Sequence, residues 1–111
     1  MLLNFNAMEE KAVANMRGGE GTVYTRVYQD ANNKVLQGRM PKGATIGMHT
    51  HEIDSEMIYI LAGTGTMLTP DGTEMLPAGS CHYCPKGGTH SLCNKNDEDL
   101  VFLAMVPVHG A

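Results

Sequence analysis

A chain that carries His49-Thr50-His51, then Glu56, then His90 behind a Pro/Gly turn is constrained first by where those polar side chains can be put. Side chains on a β-strand alternate between faces, so residues two apart project into the same space. His49 and His51 have that spacing. After a short polar bend, Glu52-Ile53-Asp54-Ser55, the chain returns and Glu56 re-enters that space. Pro85-Lys86-Gly87-Gly88-Thr89 then turns tightly and delivers His90. Three imidazole nitrogens and one carboxylate oxygen form a donor set suited to Mn, Fe, Co, Ni or Zn. The pattern predicts a divalent-metal site inside a β-barrel, with His49, His51, Glu56 and His90 as its ligands.

Short strands surround this quartet. Thr22 to Tyr28 is β-branched and aromatic, Asp30 to Asn33 turns the chain, and Lys34 to Met40 returns as a second strand stopped by Pro41 and Gly43. Thr45 to His51 reads as the first metal strand and Glu56 to Leu61 as the second, with Glu56, Ile58 and Ile60 facing inward. Pro70-Asp71-Gly72 signals a hairpin into Glu74-Met75-Leu76. Ser80 to Cys84 and His90 to Cys93 follow, then a solvated turn over 94–99. Leu100 to Val108 is apolar throughout and reads as a strand buried on both faces. Strands of this length, separated by Gly/Pro turns, predict an all-β barrel or double-sheet jelly roll.

The 111 residues suffice for one domain with a real core and no second one. Its divisions are an N-terminal arm over 1–20 and the barrel over 21–111. In the arm, residues 6–13 fit either a helical turn or an edge strand crossing to a neighbouring subunit, ended by Gly18, Gly19 and Gly21. Twelve acidic against eight basic residues, with no basic block, argue against nucleic acid or an anionic membrane as partner. Met1-Leu2-Leu3-Asn4-Phe5-Asn6 lacks the basic and apolar regions of a signal peptide, and three cysteines suit a reduced compartment, so a cytoplasmic location is expected.

The spacing also resembles a known pattern. Gly43, five residues, His49, one residue, His51, four residues, Glu56, six residues and Gly63 match the first motif of the cupin superfamily. Gly79, five residues, Pro85, one residue, Gly87, two residues, His90, three residues and Asn94 match the second, after an intervening fifteen. Ser80 stands where many cupins carry an acidic residue, at a turn position outside the ligand set. The resemblance implies a single small cupin domain, a double-stranded β-helix or jelly-roll barrel. It implies one divalent transition metal per chain (Mn, Fe, Ni, Zn, Co or Cu) on the four residues, with water or substrate completing the octahedron. It further implies a small-molecule substrate entering one open end, and a homodimer formed by strand exchange or sheet packing. Similar cupins include dioxygenases, decarboxylases and sugar isomerases. An enzyme acting on a small oxygenated molecule (dioxygenase, or sugar or acid isomerase or lyase) is therefore expected. The alternative is a non-catalytic sugar or organic-acid binder or sensor.

Other residues are assigned by their neighbours. Val35, Gln37 and Arg39 share a strand face; were it inward, Arg39 could hold a substrate carboxylate by a bidentate pair. His82 could line the cavity as a proton shuttle, making Arg39 and His82 the catalytic candidates. Glu52 and Asp54 read as solvated bend residues, and His109 as an inert tail residue. Cys81 and Cys84 point to opposite faces of a strand and, with Cys93, read as packing residues rather than a redox motif.

Overall fold

The computed structural model describes residues 1–110. It builds the expected all-β barrel from ten strands: β1 (Lys11–Ala14), β2 (Thr22–Gln29), β3 (Asn33–Met40), β4 (His49–Thr50), β5 (Glu56–Ala62), β6 (Thr64–Thr69), β7 (Gly72–Pro77), β8 (Cys81–Cys84), β9 (Thr89–Cys93) and β10 (Leu100–Pro107). They form a six-stranded sheet in the order β1-β2-β3-β10-β5-β8 and a four-stranded sheet in the order β4-β9-β6-β7. Two sheets packed face to face bury their inner faces against one another. No helix among the described residues is long and apolar enough to cross a membrane.

The core lies between the sheets, where Met40, Ile58, Ile60, Met67, Leu92 and Phe102 are fully or almost fully buried. Glu56, Ile58 and Ile60 point inward on β5, as the alternation requires. The β6–β7 hairpin turns at Pro70-Asp71 and re-enters the sheet at Gly72, whose φ of 135° is a value side chains disfavour.

Three sequence expectations change. β10 lies between β3 and β5, yet its burial alternates: Leu100, Phe102, Ala104 and Val106 face the core, while Val101, Leu103, Met105 and Pro107 are half-buried on the outer face. An apolar run contains no signal for which face meets solvent, and here only one face of β10 is packed against the other sheet. On β3 the inward phase belongs to Leu36, Gly38 and Met40, because a Cβ at residue 38 would fall inside the Phe102 ring. Arg39 is thereby turned outward. The first metal strand is also shorter than Thr45 to His51. Only His49 and Thr50 keep regular pairing, because the preceding residues divide their hydrogen bonds between β9 and the N-terminal segment.

That segment is ordered within this same chain. A 3₁₀ turn spans Phe5–Ala7, and β1 then pairs antiparallel with β2 at the sheet edge. A second 3₁₀ turn, Met16–Gly18, lies on residues 45–47: Gly47 N–H donates to Met16 O at 2.9 Å, and Thr45 N–H to Glu20 O at 2.8 Å.

Candidate metal centre

β4 and β9 pair antiparallel with His49 opposite His90, which sets two imidazoles side by side. His51 follows β4 immediately, and its backbone is fixed by N–H donation to Gly88 O and acceptance from Gly87 N–H. Glu56 opens β5 on the other sheet and is opposite Cys84 of β8. The ligand atoms of His49, His51, Glu56 and His90 all lie within 4.8 Å of one another. Glu56 is 9% exposed, His51 5% and His90 1%, so three of the four groups are nearly dry.

The separations among Glu56, His51 and His90 fit cis positions around an octahedral ion. Two cis ligands held at about 2.1 Å stand about 3.0 Å apart. Glu56 Oε1 is 2.9 Å from His90 Nε2 and 3.1 Å from His51 Nε2, and the two Nε2 atoms are 3.0 Å apart.

Each imidazole is oriented through its other nitrogen, as metal-binding histidines usually are. His49 Nδ1 is 2.7 Å from Gly47 O, His51 Nδ1 is 2.7 Å from Asp54 Oδ1, and His90 Nδ1 is 3.0 Å from His82 Nε2. The inward nitrogen is therefore Nε2 in all three rings. Electrostatics follow from the same contacts. Burial lowers the pKa of His49 and keeps it neutral. The Glu56 hydrogen bond raises His51 above its usual value, against a smaller effect of burial. Burial pushes Glu56 upward, but hydrogen bonds from His51 and His90 outweigh it and hold this carboxyl at about 2. Glu56 is thus a carboxylate throughout the neutral range.

A cavity of about 160 Å³ lies against the quartet. Its walls include Val23, Leu36, Ile58 and Phe102, with Met16 and Ile46 nearer the N-terminal segment. Arg17 and Lys34 are the cations among its lining residues.

Residues 36–106 match the family model described as cupin domain. The chain belongs to the cupin family. Among curated cupins, it is 30% identical over 112 residues to the oxalate-binding protein of Thermotoga maritima, spanning 96% of this chain and 93% of that one. It is 29% identical over 90 residues to the β-alanine degradation protein BauB of Pseudomonas aeruginosa, spanning 79% of this chain and 95% of that one. Among solved cupins, a predicted oxalate decarboxylase from Thermotoga maritima superposes with a TM-score of 0.91 at 27% identity, covering 97% of this chain and 99% of its own.

The two catalytic candidates are both placed away from the cavity. Arg39 is on the outer sheet face, where its guanidinium pairs with Glu10 at 2.9 and 3.3 Å, reaches Asp99 at 3.3 Å and stacks 4.1 Å over the Tyr24 ring. A carboxylate does meet Arg39 bidentately, but it is the chain's own Glu10. His82 is buried behind His90 rather than lining the cavity. Asp54, read as solvated, instead holds His51; its position three residues on was the available signal. Gly47, Glu74 and Arg17 had no signal, since their roles depend on long-range pairing. His109 is engaged too: its backbone N–H donates to Ile53 O, and its Nε2 is 2.8 Å from Ser55 Oγ, pinning the bend between the ligands. Cys81 is exposed while Cys84 and Cys93 are buried, and all three are free thiols.

Proposed function

We propose that this cupin holds one divalent transition metal on His49, His51, Glu56 and His90 and is an enzyme acting on a small carboxylic acid, with oxalate the first candidate. The carrying observation is the largely buried quartet beside a small cavity, in a chain 30% identical over 96% of its length to a relative named for oxalate binding. When bound, the ion supplies Lewis-acid polarisation of a ligand oxygen. Glu56 is the quartet's single anion, so it offsets half of a divalent charge and leaves the centre cationic. The other charged lining residues, Arg17 and Lys34 against Asp30 and Asp54, balance, so the pull on an anionic ligand comes from the cationic centre itself. Ile58, Phe102 and Leu36 exclude water from one side of it, which strengthens each polar contact made there. A homodimer is part of the same proposal. Tyr59 and Tyr83 are exposed on the outer face beside half-buried Met57, Leu103 and Met105, an apolar surface suited to a second copy.

The test begins with elemental analysis of protein purified without tag or chelator, followed by calorimetry with oxalate, malonate and formate. Oxalate is then incubated with the loaded protein while released CO2, formate and oxygen uptake are followed. Near one metal per chain, oxalate binding and conversion of oxalate are the expected results. Tight binding without conversion would move the protein to the binder class. Oxygen uptake only with an enediol, or isomerisation of a sugar acid, would replace oxalate with the dioxygenase or isomerase reading. Absence of metal after reconstitution would refute the proposal at its root.

A further inference from the structure

Behind the quartet runs a second line of polar side chains. His82 is on β8, inward in phase with Cys84, and 5% exposed. Its ring stacks on that of His90, with centroids 5.2 Å apart and planes 30° from parallel. His82 Nε2 is 3.0 Å from His90 Nδ1, and His82 Nδ1 is 2.7 Å from Glu74 Oε1 on β7. The Glu74 side chain is 52% exposed, so the line runs from the buried quartet to the surface.

The proton order along this line is fixed by chemistry. A neutral imidazole that gives its Nε2 lone pair to a metal carries its proton on Nδ1. His90 Nδ1–H must then donate, so His82 Nε2 must accept. An accepting Nε2 leaves the His82 proton on Nδ1, where it donates to the Glu74 carboxylate. With an ion on His90 Nε2, this is the one arrangement of neutral rings that satisfies every atom of the line. A carboxylate behind one histidine is the common support for a metal ligand. Here the carboxylate stands behind two.

We propose that His82 and Glu74 are positioning residues of the metal centre: a two-step relay that locks the tautomer and ring plane of His90 and raises its affinity for metal. The inference rests on the quartet being a metal site. Neither residue touches the cavity, and the relay crosses between the sheets, because Glu74 and His90 belong to the four-stranded sheet and His82 to the six-stranded one.

The experiment compares wild type with His82→Phe, His82→Gln, Glu74→Leu and Glu74→Gln. Cobalt(II) and zinc dissociation constants are measured by chelator competition, the visible spectrum of each cobalt(II) protein is recorded, and the melting temperature of each metal-free protein serves as folding control. Losing a support of this kind weakens metal binding about 10–100-fold. His82→Phe removes the acceptor and is expected to show that loss with an altered cobalt(II) spectrum. His82→Gln keeps an oxygen to accept from His90 and an amide to donate to Glu74, so it is expected to recover most of the affinity. Glu74→Leu is expected to weaken binding without threatening the fold, since the residue is half exposed, and Glu74→Gln to weaken it less. If His82→Phe and Glu74→Leu both bind cobalt(II) as wild type does, with its spectrum, the relay is refuted while the metal site stands. Equal losses for His82→Phe and His82→Gln would also refute it, by making side-chain shape the cause. Failure of wild type itself to take up metal would overturn the metal reading and the relay together.

Discussion

Replacing Gly47 by alanine should damage the fold and the metal centre through separable causes. An alanine Cβ at this position would collide with the carbonyl oxygen of Arg17, and would stand 2.8 Å from the Arg17 carbonyl carbon and 2.8 Å from the Gly19 nitrogen. All of these are backbone atoms, so no side chain can rotate away. Moving the 3₁₀ turn off the strand costs about 1–3 kcal/mol as overpacking. Loss of the 2.9 Å bond from Gly47 N–H to Met16 O adds about 1 kcal/mol. With an unfolding entropy of about 2.1 cal/mol/K per residue over 111 residues, 1 kcal/mol corresponds to about 4 °C. A cost of about 2–4 kcal/mol therefore lowers the melting temperature of the metal-free protein by roughly 8–17 °C. The same residue's carbonyl orients His49 at 2.7 Å, so metal affinity should fall by about tenfold or more. Calorimetric melting with and without metal separates the two effects, because a fixed excess of metal adds stability that rises with the logarithm of its affinity. A metal-free variant that melts within 2 °C or so of wild type (under 1 kcal/mol) would refute the tight docking of residues 16–18. A large drop in melting temperature with unchanged metal affinity would refute the orienting role of the Gly47 carbonyl.

Two further outcomes are expected. Asn94 is 1% exposed; its amide donates at 2.8 Å to both Met40 O and Glu98 O and its oxygen accepts from Asn96 N–H, so Asn94→Ala should cost about 1–3 kcal/mol in urea unfolding by taking this donor from the buried Met40 carbonyl. In the metal-free protein the raised pKa of His51 contributes stability that is complete below its unfolded value and lost as pH rises through its folded value. The lowered pKa of His49 works against it as pH falls through 6.5, so stability should rise as pH falls from about 8 and level off near 6.5. Metal affinity should run the opposite way, falling over the same interval as the proton competes for His51, and calorimetric titrations at several pH values check both slopes.

The four residues of the quartet were legible because strand alternation and turn chemistry act over a few residues, and the cluster is built from such short pieces joined at a matched spacing. The same local logic placed Ile58 and Ile60 inward on β5 and Tyr59 outward. It could not phase β3, where Val35, Gln37 and Arg39 form as regular a set as Leu36, Gly38 and Met40. The decision there belongs to Phe102, more than sixty residues later, whose ring occupies the space a side chain at Gly38 would need. β1 was equally hidden: a four-residue edge strand with a mostly exposed pattern has no apolar periodicity to read. The meeting of Glu74 and His82 with His90 was hidden because it needs β7, β8 and β9 to converge from both sheets.

That convergence applies to the quartet as well. His49 and His90 belong to the four-stranded sheet, while Glu56 starts β5 of the other. An ion gripped by these residues is therefore a clasp across the seam of the barrel, in a chain with no tryptophan and only two phenylalanines to fill the gap. Without the ion the Glu56 carboxylate still meets His51 and His90 across that seam, so a bound metal would tighten a junction that these side chains already make.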